Sequence, residues 1–231
     1  MSQLSSTNVS VPRANGKGTM ESFFVKPEGE GQFPGLVVIH EAFGLNDNIR
    51  GIASRFAEQG YAALAVDMFS NRNRVVCMLQ AFHGMLIRPL HNPFVADLSS
   101  CIHYLQKQPD VDANRIGAVG FCMGGGYALQ LAVMEKGMKA ASVFYGAVPK
   151  PLEAFARSCP IVGSYPEKDF TTAAARELDA VLERNEVPHD IKFYENTQHS
   201  FFNRQRTPFE VEASKDAWQR MLSFFSEHLD H

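Results

Sequence analysis

Arg115-Ile116-Gly117-Ala118-Val119-Gly120-Phe121-Cys122-Met123-Gly124-Gly125-Gly126 runs from an apolar stretch through glycines into a segment of helical period, Met123 to Glu135. Strand, tight turn and helix in that order fit a nucleophile elbow, G-x-S-x-G, with cysteine in place of serine. Glycines two residues either side of Cys122 are needed there because a side chain at either place would collide across the turn. Two other readings use the same residues. Cys122 can be a small buried hydrophobe with glycines that only pack helix on strand. A phosphate loop is disfavoured, since both the G-x-G-x-x-G spacing and the Lys-Ser/Thr of a P-loop are missing. An elbow sets Cys122 at a helix N-terminus, where the dipole and free N–H groups are expected to favour a thiolate.

The pattern repeats on both sides of this stretch. Gly35 to His40, Tyr61 to Val66, Ala141 to Tyr145, Pro160 to Ser164 and Asp190 to Tyr194 read as short strands. Between them, Asn46–Gln59, Val95–Gln106 and Thr171–Glu183 carry helical spacing, and a last helix starts at about Pro208, with Trp218, Met221, Leu222, Phe225 and Leu229 apolar. Fully apolar strands bounded by helices predict an α/β fold, a mostly parallel central sheet with helices on both faces. Residues 1–18, polar and rich in Gly, Asn and Ser, are expected to form a flexible N-terminal arm, and 19–231 one domain. Ligands of such sheets sit beyond the carboxyl ends of the strands.

Composition narrows the function. In 231 residues, 45% are hydrophobic, enough for a core without disulfides or metal. A net charge of −3 gives no basic footprint for nucleic acid and no polybasic patch for a membrane surface. The aliphatic runs are too short to span a bilayer, and the first residues lack the charged start and apolar stretch of a signal peptide. The expectation is a cytoplasmic protein whose four cysteines (Cys77, Cys101, Cys122, Cys159) are thiols. None forms a CxxC pair, so no metal site and no cofactor are expected.

Two more strand ends carry candidates. His199 lies in Glu195-Asn196-Thr197-Gln198-His199-Ser200, after the last strand, where a general base belongs. Six of the eight histidines, His83, His91, His103, His189, His228 and His231, sit in polar or helical settings without evident partners. Asp169, after Ser164-Tyr165-Pro166-Glu167-Lys168, is placed to orient an imidazole. Asp179 and Asp190 are rivals for that role. Asp67 also ends a strand, but it precedes Cys122 and reads as a cap on the loop that follows. Cys122, Asp169 and His199 stand in the order nucleophile, acid, base.

With His40-Glu41-Ala42-Phe43-Gly44-Leu45-Asn46, Gly60 through Asp67, the cysteine elbow and His199-Ser200-Phe201, the chain resembles the dienelactone hydrolase (carboxymethylenebutenolidase) family of α/β-hydrolases over about residues 20 to 228. The resemblance implies an α/β-hydrolase fold without a large lid domain. It makes Cys122 the nucleophile, His199 the base, Asp169 the orienting acid, and Glu41 the carboxylate that helps generate the thiolate when substrate binds. It puts the oxyanion hole at the backbone N–H groups of Ala42 and Met123. Family arginines bind a substrate carboxylate, and Arg72, Arg74, Arg88 and Arg204 are candidates here, although Met68 to Asn92 does not align with the family pattern. Phe43 and Tyr145 are further substrate-pocket candidates.

The reaction so implied is hydrolysis of lactones or small activated esters through a thioester, with dienelactone to maleylacetate as the leading case. A small-molecule substrate and a monomer or small homo-oligomer complete the expectation. Alternatives are a general carboxylesterase and a noncatalytic protein with a redox-responsive Cys122. A sensor thiol has no need of Glu41, Asp169 and His199 in this order.

Overall fold

In the computed structural model, which describes residues 3–229, eight strands form one sheet in the order β1-β2-β4-β3-β5-β6-β7-β8. The strands are β1 (Leu4–Pro12), β2 (Thr19–Pro27), β3 (Phe33–Ile39), β4 (Ala62–Val66), β5 (Val111–Phe121), β6 (Met138–Phe144), β7 (Ile161–Pro166) and β8 (His189–Tyr194). All neighbours from β4 to β8 run parallel, while β1 and β2 are antiparallel to their partners. The helices are α1 (Asp47–Glu58), α2 (Arg74–Ile87), α3 (Pro93–Gln106), α4 (Met123–Met134), α5 (Thr172–Arg184), α6 (Phe201–Arg204) and α7 (Pro208–Leu229). This is the α/β-hydrolase fold, with no large lid among the described residues. None of its described helices is long and apolar enough to cross a membrane.

Two buried clusters explain why β3 and β4 are apolar on both faces. Phe94, Leu98, Tyr127, Leu129 and Leu178 bring α3, α4 and α5 onto one face. Ile49, Phe56, Met221 and Phe225 bring α1 and α7 onto the other. Strands buried on both sides need no polar alternation. Helix starts are fixed by side-chain caps: Asn46 Oδ1 accepts from Ile49 N–H, and Asn92 Oδ1 from Phe94 and Val95 N–H with Pro93 in the first turn.

The N-terminal segment differs from the expected loose arm. Leu4–Pro12 pairs residue for residue with β2, from Leu4 against Pro27 to Pro12 against Thr19. Its exposed polar side chains are those of an edge strand with one wet face. The corner after it is pinned by Arg13, buried, whose guanidinium meets Asp97 of α3 at 2.6 Å and also donates to the Met68 and Ser70 carbonyls. His231 lies outside the described residues. Two of the other histidines have carboxylate neighbours, His103 with Glu135 at 3.7 Å and His189 with Asp179 at 3.4 Å.

The register places the functional loops together. Ile39 of β3 pairs with Val66 of β4 and with Gly120 of β5, and Phe121 pairs with Phe144 of β6. The carboxyl ends of these strands are therefore level. The chain steps outward from β3 to β4 and then returns to the other side of β3 at β5. That reversal puts the topological switch point at the carboxyl ends of β3 and β5, the general ligand position of open α/β sheets.

Candidate active site

Cys122 follows β5 and caps α4 with φ 54°, a left-handed backbone that a residue with a Cβ adopts only when its surroundings hold it there. The surroundings are visible. A Cβ on Gly120 would collide with the Gly124 carbonyl, and one on Gly124 with the carbonyls of Ile39 and His40. Only glycine at both places lets the elbow pack against the end of β3. The close approach brings the backbone N–H groups of Met123 and Ala42 onto the Cys122 sulfur.

Those two donors do not yield a resting thiolate. Burial first and the Glu41 carboxylate second push the Cys122 thiol up to about 11, outweighing both N–H groups. Asp169 adds to the same direction. The expected thiolate at the helix N-terminus is thus corrected to a neutral thiol, because desolvation and two neighbouring carboxylates exceed what the two N–H groups supply.

His199 sits on the loop after β8, and its Nδ1 lies 2.8 Å from Asp169 Oδ2. Asp169 is anchored in turn: Thr171 Oγ1 donates to the same oxygen at 2.7 Å, and the Asp169 N–H donates to Thr172 Oγ1. Asp179 and Asp190 are engaged elsewhere, Asp179 near His189 and Asp190 with Arg220. His199 Nε2 is buried and has no hydrogen-bond partner among the described residues. Two rings lie near the imidazole, Tyr145 at 5.0 Å and Phe170 at 4.8 Å between centroids. Tyr145 is fully buried, and burial, reinforced by the charge of Glu41, pushes its phenol far above the ordinary range. Phe170 is 76% exposed and Phe43 63%, so the site presents aromatic surface to solvent.

Glu41 is held by Ser200, whose hydroxyl donates to Oε1 at 2.7 Å. Cys122, Glu41, Ala42, Met123, Tyr145, Asp169 and His199 thus form one cluster. The candidate arginines lie at separate places on the molecule. Arg88 lines a cavity of about 560 Å³ with Leu90, His91 and Lys150, and Arg204 one of about 230 Å³ with Asn48 and Arg55. Arg74 lies 3.6 Å from Asp67 and flanks Gly44, while Arg72 is exposed on the loop between β4 and α2.

The arginine that does reach the histidine loop was not singled out from sequence. Arg206 donates to the His199 carbonyl at 2.7 Å and to buried Glu210 at 2.9 Å. Glu210 also accepts from the backbone N–H groups of Gln198 and Arg206. The signal was present as Arg and Glu four apart across the start of α7. His40, whose place in the sequence alone implies no role, is fully buried directly before Glu41.

Comparison with known proteins gives a consistent result. The sequence pattern of the dienelactone hydrolase family matches residues 20–229. A Saccharolobus solfataricus protein, provisionally named a carboxymethylenebutenolidase, is 30% identical over 228 residues, covering 82% of this chain and 87% of its own. A Synechocystis protein with the same provisional name is 28% identical over 247 residues, covering 98% of each chain. Among solved structures, a dienelactone hydrolase-like promiscuous phosphotriesterase from metagenomic libraries superposes with a TM-score of 0.85 at 26% identity, covering 97% of this chain and 98% of its own.

Proposed function

The chain belongs to the dienelactone hydrolase family of hydrolases, and from that premise we propose that it cleaves lactones and small activated esters with Cys122 as nucleophile. The supporting observation is the cysteine on its elbow, its sulfur met by two backbone N–H groups, in one cluster with the Asp169–His199 pair.

The neutral thiol defines the first step. As substrate enters, the thiol proton passes to Glu41, and the sulfur attacks the acyl carbon. The carbonyl oxygen becomes an oxyanion that accepts from Ala42 and Met123 N–H, donors worth about 10²–10³ in rate each. Collapse breaks the C–O bond to the departing oxygen, which takes the proton from Glu41, and leaves a thioester. His199, its Nδ1–H directed at Asp169, then takes a proton from water. The hydroxide so formed releases the acid, and the imidazolium returns its proton to the departing sulfur. An enolate or phenolate departs easily from such an intermediate, whereas an amide nitrogen does not.

Dienelactone, opened to maleylacetate, is the leading substrate. The exposed aromatic rings of Phe43 and Phe170 beside the cluster favour a second reading, a carboxylesterase for apolar esters. The sensor reading loses support from the thiol itself, because oxidation follows thiolate character and this thiol is held neutral. The test is loss of dienelactone ultraviolet absorbance, with p-nitrophenyl acetate alongside, in wild type and Cys122→Ala. Turnover of either ester in the folded Cys122→Ala protein removes the mechanism. Turnover of the nitrophenyl ester alone by wild type moves the substrate to the carboxylesterase class.

A further inference from the structure

His40 directly follows β3 and is fully buried, yet its ring touches neither Cys122 nor His199 in any hydrogen bond. Its two nitrogens have separate partners. The Met68 backbone N–H, on the loop after β4, donates to Nε2 at 3.1 Å. A nitrogen that accepts carries no proton, so the neutral ring keeps its proton on Nδ1. Nδ1 lies 2.5 Å from the Glu41 carbonyl oxygen, to which it therefore donates. Burial disfavours the charged ring, and the two hydrogen bonds set which nitrogen of the neutral ring holds the proton.

The carbonyl of Glu41 belongs to the same peptide unit as the N–H of Ala42. That unit is planar and trans, so its C=O and N–H point in opposite directions. A donor fixing the carbonyl on one side aims the N–H on the other, and that N–H faces the Cys122 sulfur. Gly44 N–H also donates to the Glu41 carbonyl, at 3.4 Å, closing the turn. Polarisation of the carbonyl strengthens the N–H as a donor, since hydrogen bonds in a chain reinforce one another.

We propose that His40 is a positioning residue for hydrolysis: held by the loop after β4, it orients and polarises the Glu41–Ala42 peptide so that the Ala42 N–H is ready for the oxyanion. The inference rests on the proposed function, because it requires an oxyanion at that N–H. It also explains how a site on a bare loop stays preorganised, since a neighbouring strand's loop supplies the restraint.

The test is His40→Asn and His40→Gln in the full-length protein, assayed on p-nitrophenyl acetate with thermal midpoints measured in parallel. An asparagine amide reaches the Nδ1 position and still donates to the Glu41 carbonyl, whereas glutamine reaches only toward Nε2. His40→Gln is expected to lose about 10²-fold in kcat with KM within about threefold of wild type, the signature of an interaction made only in the transition state. Its affinity for an aldehyde analogue, whose thiohemiacetal oxygen occupies the same cradle, should weaken in parallel. His40→Asn should recover most of kcat.

Wild-type kcat in folded His40→Gln overturns the proposal, as does folded His40→Asn that is equally impaired. Should His40→Gln not fold, His40→Asn decides: kcat within about tenfold of wild type supports the proposal, and a larger loss in folded protein overturns it. No ester turnover by wild type would be a failure of the proposed function itself, visible before any variant is made, and the positioning role would fall with it.

Discussion

The Ser200 hydroxyl donates to Glu41 Oε1 at 2.7 Å, joining the loop after β3 to the residue that follows His199. The bond keeps a carboxylate in the cluster around Cys122, where its charge is the second cause, after burial, of the raised thiol pKa. Glu41→Gln removes the charge but keeps an amide that can still pair with Ser200. The Cys122 pKa should fall from about 11 toward the ordinary cysteine value, read as the difference in 240 nm absorbance against pH between Glu41→Gln and a Glu41→Gln/Cys122→Ala double variant. Ester turnover should fall although more thiolate is present, because the proton acceptor of the first step has gone. An unchanged thiol titration would show that Glu41 does not govern the sulfur.

Asp169 holds His199 Nδ1, and Asp179 pairs with a different histidine. Asp169→Asn offers an amide where the imidazole needs an acceptor, which favours the wrong tautomer, and kcat should drop by about 10³–10⁴. Asp179→Asn should leave kcat within about twofold of wild type. A loss in Asp179→Asn alone would assign the orienting carboxylate elsewhere.

Parts of the fold and cluster were legible because their physics is local. The apolar runs of β3 and β4 need helices on both faces, and glycines at both −2 and +2 from Cys122 fit the tight strand-to-helix turn. Chain order put Asp169 and His199 on successive strand ends. The Leu4–Pro12 strand was hidden because its side chains are mostly polar and exposed, and only its partner β2 reveals it. Helix α2 was hidden for the opposite reason, since Val75, Leu79 and Ile87 are exposed apolar residues that mimic no surface helix. The neutral state of Cys122 is a tertiary property: burial and a carboxylate from another loop set it, and neither is visible in G-x-C-x-G.

Alkaline pH should destabilise the protein through its buried thiols. Burial pushes Cys159 up to about 12, and Cys122 stands at about 11, whereas an unfolded cysteine titrates near 8.5. Folded-state values raised in this way contribute stability that is whole below about pH 8.5 and is lost as pH rises toward the folded values, because only the unfolded chain ionises in between. Between pH 8 and 10.5 the urea midpoint of wild type should fall, and Cys159→Ala should show a smaller fall over the same range whatever its midpoint at pH 8. Equal falls in the two proteins would mean that Cys159 ionises no harder folded than unfolded.

Arg206 and Glu210 set the backbone beneath His199. Glu210 is almost fully buried and accepts from the Arg206 side chain at 2.9 Å, from Arg206 N–H at 2.6 Å and from Gln198 N–H at 3.2 Å. Arg206→Ala strands that carboxylate without its cation. Breaking a buried pair from one side costs about 3–5 kcal/mol, reduced here to about 2–3 because the arginine is partly exposed. The same variant frees the His199 carbonyl from its 2.7 Å bond to the guanidinium, so kcat should fall as well. Arg206→Ala with Glu210→Gln leaves no stranded charge, and should regain stability relative to Arg206→Ala while kcat stays low. Urea unfolding and ester kinetics on the three proteins separate the two effects. If kcat recovers along with stability, the arginine acts only by neutralising Glu210 and does not position the histidine loop.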